Sequence, residues 1–151
     1  MKFTTTLLFA LISIVSRSQS CNIPNVATGV AMGLSGGYSS RQSIIGAYSL
    51  GAMLPTNTHI SLNMVILSEL KKSDIPSIGE VRVGQVFDAW ELYGGIGYHL
   101  AGSDNKIITN SNTGIRPALG VIKYFNNSPW TISAAMSGNI FSLQLGLFGV
   151  R

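Results

Sequence analysis

From Val26 onward the chain alternates between bulky apolar and small or polar residues with a period of two, which predicts strands whose successive side chains face opposite environments. In the first run Val26, Thr28, Val30, Met32 and Leu34 share one face, and Ala27, Gly29, Ala31, Gly33 and Ser35 share the other. A turn is expected at Gly36-Gly37-Tyr38-Ser39-Ser40. Ile44, Tyr48, Leu50 and Leu54 then align, and Pro55-Thr56-Asn57 is the next turn. Ile60, Leu62, Met64 and Ile66 oppose His59, Ser61, Asn63 and Val65. Ser68 to Gly79 is expected to be a polar loop, leaving Val81 to Phe87 as a short strand. Beyond a tight connection at Asp88, Trp90, Leu92, Ile96, Tyr98 and Leu100 oppose Glu91, Tyr93, Gly95, Gly97 and His99. A polar stretch from Ala101 to Gly114 precedes Ile115, Leu119, Val121 and Phe125, which oppose Arg116, Ala118, Gly120 and Ile122, with Pro117 an ill-fitting strand residue. After Asn126-Asn127-Ser128-Pro129, two last runs carry Trp130, Ile132, Ala134, Met136 and then Phe141, Leu143, Leu145, Leu147 on the bulky face. Eight strands are predicted.

The face opposite the bulky one is mainly Gly, Ala, Ser and Thr, a poor exterior for a soluble barrel or sandwich. Inverted, the pattern is coherent: bulky side chains face lipid while small and polar ones fill a narrow interior. Closing the sheet also removes the unpaired edges that hydrocarbon cannot solvate. Most runs approach the roughly 9–11 residues needed for a tilted crossing. Long connections fall mainly on one side and short ones on the other, as in barrels with short periplasmic turns and longer external loops. In that topology Phe87, Trp90, Phe125 and Trp130 occupy the lipid face at the periplasmic rim, with Tyr98 and Phe141 toward the opposite rim. The expected fold is an all-β, eight-stranded antiparallel up-and-down transmembrane barrel.

Composition agrees. Of 151 residues, 46% are hydrophobic, 11% are charged and 17 are glycine, too few charges for a well-solvated surface and too much apolar content for disorder. No apolar run outside the N-terminus is long enough for a membrane helix. Met1-Lys2, the apolar stretch Leu7 to Val15 and the polar segment Ser16 to Ser20 have the layout of a secretory signal peptide, giving residues 1–20 as the signal and 21–151 as the barrel domain. Without Lys2 and Arg17 the formal charge falls from +4 to +2, so the basic balance argues little for nucleic acid. Cys21 is the single cysteine, which excludes an intrachain disulfide. Polar residues separate it from the apolar stretch, against a lipid-modified N-terminus.

With its eight alternating runs and unequal loops, the chain over about residues 25–151 resembles the small eight-stranded outer-membrane barrels, the class of the transmembrane part of outer-membrane protein A. Gln144 and Gly146 fit the polar and glycine positions of that class's final strand, whereas Phe148-Gly149-Val150-Arg151 departs from its terminal aromatic. The resemblance implies outer-membrane localisation, lipid as the surrounding partner, and a structural or surface-interaction role through the external loops 68–79 and 101–114.

Lumen-facing polar candidates are His59, Ser61, Asn63, Arg82, Glu91, His99, Arg116 and Gln144. Arg82, His99 and Arg116 are expected toward the external end and Glu91 toward the periplasmic end. Two histidines without thiolates or paired carboxylates give no metal site, and the glycines recur inside strands, not in a phosphate loop, so no cofactor is expected. His59-Ile60-Ser61 suggests a lipid acyl hydrolase with Glu69 as acidic partner, although Leu62 replaces the asparagine that such enzymes carry after the serine. A narrow pore is a further alternative, as is a soluble secreted barrel binding an apolar ligand. The primary expectation is a non-enzymatic integral barrel.

Overall fold

The structure, a computed structural model, describes residues 28–40, 43–68, 77–100, 113–126 and 128–150. Eight strands follow one another in chain order: β1 Gly29–Ser39, β2 Ile44–Met53, β3 Thr58–Ser68, β4 Ser77–Phe87, β5 Trp90–Leu100, β6 Gly114–Tyr124, β7 Trp130–Ser137 and β8 Ile140–Val150. Each pairs antiparallel with its neighbours in sequence, and β1 pairs with β8 from Ala31↔Val150 to Ser39↔Ser142, closing an up-and-down barrel. Both expected features, eight strands and full closure, are present. Residues 1–20, expected to be a signal segment, and Cys21 lie outside the described residues.

The orientation of the side chains is the inverted one. Ile60, Leu62, Met64 and Ile66 in β3, Leu92 in β5, and Leu143 and Leu145 in β8 are exposed, while the residues on either side of each are buried. Phe87, Trp90, Phe125 and Trp130 are exposed at the end carrying the short turns; Tyr98 and Phe141, joined by Tyr38, are exposed toward the other.

Two boundaries differ from the sequence expectation, and one expected irregularity finds its reason. Gly36-Gly37 is not a turn: β1 runs on to Ser39, and a Cβ at Gly37 would collide with the backbone of Leu143 and Gln144, so this glycine permits a close β1–β8 approach. Period-two reading stops at paired glycines because they carry no side chain to alternate. β4 is a full 11-residue strand beginning at Ser77, which moves Ser77, Ile78 and Gly79 out of the supposed loop; residues 69–76, with Glu69, lie outside the described residues, as do 101–112 of the other long connection. Pro117 lies inside β6, opposite Ile96, and is tolerated for a geometric reason. The β6–β7 ladder ends at Ala118↔Ser137, so the side of Pro117 that lacks an N–H faces the β7–β8 turn, where its carbonyl accepts from Gly138 N at 2.8 Å.

The interior is layered, which the expectation of a small and polar filling did not anticipate. At the long-connection end Ile45, Val65, Leu67, Ile78 and Ile140 pack together, Leu67 with 0% exposure. At the short-turn end Ala31, Met53, Val86, Tyr124 and Val150 form a second apolar cluster, against which Ile122 and Phe148 pack. Polar and charged groups occupy the space between.

Candidate functional site

All eight candidate polar residues are on the inner wall; His59, Ser61, Asn63, Glu91, His99 and Gln144 are buried, and Arg82 and Arg116 are half-buried. They do not converge on one centre. They form a ladder of small groups along the barrel axis.

Nearest the short-turn end, β3 and β5 bring His59 opposite Glu91. His59 Nδ1 donates to the carboxylate, at 3.1 Å and 3.2 Å from its two oxygens, and the Tyr124 hydroxyl of β6 donates to Oε2. With 2% exposure, Glu91 is a carboxylate held in the wall by two donors, the condition under which a buried charge is tolerated. Gly84 makes room for it, since a Cβ there would collide with the carboxylate. Phe148 of β8 stands edge-on to both His59 and Tyr124, with ring centroids 5.4 Å and 5.1 Å away. His59 Nε2 is buried without a hydrogen-bond partner among the described residues.

At mid-height Arg82 Nε donates to Glu80 Oε2 at 2.7 Å, and the guanidinium lies over the Tyr93 ring, 4.5 Å from its centroid. Arg82 therefore sits centrally, not toward the external end, because β4 begins at Ser77 and places it sixth of eleven residues. Glu80 is the functional neighbour that sequence reading missed. Its spacing of two from Arg82 was the available signal, masked because the supposed loop ran up to its doorstep. Gly120 leaves space for the Tyr93 hydroxyl. Beside this pair, Ser35 Oγ donates to Gln144 Oε1 at 2.6 Å, Gln144 Nε2 donates to Ser142 Oγ at 3.0 Å, and Asn63 Nδ2 donates to Ser61 Oγ at 2.9 Å.

Toward the long-connection end His99 Nε2 meets Ser137 Oγ at 2.8 Å, and Arg116 reaches the Thr113 carbonyl at 3.5 Å. A cavity of about 50 Å³, lined by His59, Ser61, Asn63, Arg82, Glu91 and Gln144 among others, lies between the two apolar clusters. It has room for a few water-sized molecules.

The Glu91–His59 pair has the form of an oriented base, carboxylate on Nδ1 and Nε2 unbonded. Serine activation requires the hydroxyl to donate to that nitrogen. Ser61 is instead engaged by Asn63, and no hydrogen bond joins it to His59. No group of three or more His, Cys, Asp or Glu residues suited to a metal ion occurs among the described residues. No helix among them is long and apolar enough to cross a membrane, which leaves crossing by strands untouched.

No protein-family model matches the chain, and none of the curated proteins compared with it is significantly similar.

Proposed function

We propose that this chain is a non-enzymatic integral outer-membrane barrel that acts as a structural element or presents its longer connections to partners at the cell surface. The observation that carries the reading is the inverted wall. Large apolar side chains stand exposed around the barrel while Glu80, Glu91, His59 and His99 are buried inside it. In water that arrangement exposes far more contiguous apolar area than soluble monomers carry; in hydrocarbon it is the favourable one. The aromatic rim at the short-turn end and the signal-like N-terminus point the same way.

The pore alternative loses support from the two apolar clusters that flank the cavity, and the acyl-hydrolase alternative from the absence of a hydrogen bond between Ser61 and His59. The soluble barrel with an apolar ligand requires a roomy, uniformly apolar cavity, whereas the cavity here is about 50 Å³ and has His59, Arg82, Glu91 and Gln144 in its wall.

Adjacent residues of β8 provide the test, since Leu143 is 55% exposed and Gln144 7%. In a Cys21→Ser background, Leu143→Cys in vesicles is expected to react with a lipid-phase probe and not with a membrane-impermeant maleimide. Gln144→Cys is expected to react with neither until the barrel is unfolded. Reaction of Leu143→Cys with the impermeant reagent in sealed vesicles defeats the transmembrane reading.

A further inference from the structure

We propose that Lys123 and Trp90 form a seat on the outer wall for the phosphate of an anionic phospholipid, in the leaflet on the short-turn side. The proposal rests on the transmembrane reading above. Among the outward-facing positions of the described strands, Lys123 is the only charged side chain: the wall is otherwise Val, Leu, Ile, Met, aromatic, Gly, Ala, Pro and a few uncharged polar residues. A lone cation at such a position is costly in hydrocarbon unless it reaches the headgroup level or finds an anion there.

Its position meets the first condition and leaves the second to the lipid. Lys123 is next to last in β6, level with Trp90 across the β5–β6 ladder and with Ile132 on β7. Its Nζ lies 4.5 Å from the Trp90 ring centroid, a cation–π contact that fixes the ammonium beside the indole. Phe87, Phe125 and Trp130 are exposed around the same rim. The side chain is half-buried and forms no ion pair with any described residue. The exposed Asp88, in the neighbouring β4–β5 turn, forms none either. An ammonium positioned by an aromatic face, at headgroup depth and without a carboxylate partner among the described residues, is complementary to a phosphodiester. A headgroup without an amine of its own is preferred, because a zwitterionic headgroup already carries a competing cation.

The fluorescence of Trp90 reads this directly. With Trp130→Phe removing the other indole, the barrel is reconstituted in phosphatidylcholine vesicles containing a small fraction of acyl-brominated lipid, either phosphatidylglycerol or phosphatidylcholine. Trp90 quenching is expected to report about fivefold enrichment of the anionic lipid, the factor that one basic residue near an anionic headgroup supplies. Lys123→Gln is expected to abolish the difference, and millimolar inorganic phosphate to leave it in place. Equal quenching by the two lipids, a preference that survives Lys123→Gln, or displacement by inorganic phosphate overturns the proposal while leaving the barrel in the membrane. Absence of quenching by either lipid overturns the transmembrane reading together with it.

Discussion

Glu91 owes its place in the barrel wall to three other residues: His59 and Tyr124 donate to it, and Gly84 vacates the volume its carboxylate fills. Glu91→Ala is expected to lower the unfolding free energy in detergent by about 3 kcal/mol, because it strips two buried donors of their acceptor. Tyr124→Phe, which removes one donor and leaves the other, is expected to cost about 1–2 kcal/mol in the same urea titration. Gly84→Ala pushes a methyl into the carboxylate and is expected to cost about 1–3 kcal/mol. Gly46→Ala, where an added Cβ meets nothing within 4 Å, is expected to lie close to neutral. At this scale the sequence was half legible. Parity placed His59 and Glu91 on the inner wall, but their meeting depends on the stagger of β3, β4 and β5, in which His59 faces Gly84 and Gly84 faces Tyr93. No spacing along the chain encodes that stagger, since the connection between β3 and β4 can shift it.

The strands were the most legible level, because a closed barrel with a bulky apolar outer face and a smaller, more polar inner one imposes a period of two on each strand. That signal thins in two places. Gly36 and Gly37 carry no side chain to alternate, and the turn vocabulary took over. Ser77 to Gly79 lie where small and polar residues imitate a loop. Pro117 looked like a defect until the short β7 left its imide side unopposed. The membrane reading makes a depth-dependent prediction along β6. Leu119 lies at the middle of the strand and is 51% exposed, so Leu119→Arg is expected to destabilise the vesicle-inserted barrel by about 2–4 kcal/mol. Basic side chains nearer the rim are expected to cost little, as Lys123 exemplifies. A chemical-denaturation series in lipid vesicles measures both, and equal tolerance at Leu119 and at the rim contradicts a bilayer-embedded wall.

For the molecule as a whole, the layering of the interior is what the proposed membrane barrel would rely on to stay closed. Parity did not reveal it, because Ile45, Leu67, Ile78 and Met53 occupy inward positions that the pattern assigns to small or polar residues. Planar-bilayer recordings of the unaltered barrel are expected to show no steady conductance. Leu67→Ser with Ile140→Ser opens one cluster only and is expected to remain closed, whereas adding Met53→Ser and Val86→Ser is expected to yield small channel events. The seam between β1 and β8 bears on how such a body comes into being. Ser35 reaches Gln144 across 109 residues, and Ala31 pairs with Val150, so none of these bonds can form until almost the whole ring has been gathered. Loop closure of that span is slow and brings little reward until it is complete. Phe148, which covers His59 and Tyr124, arrives only with the strand that closes the seam. Amide exchange during refolding is therefore expected to show β1 and β8 gaining protection late, in one concerted step. Until that step Glu91 and Arg82 stand open to bulk water, so the closing of the ring is also the moment at which their charges come to depend on the partners the wall supplies.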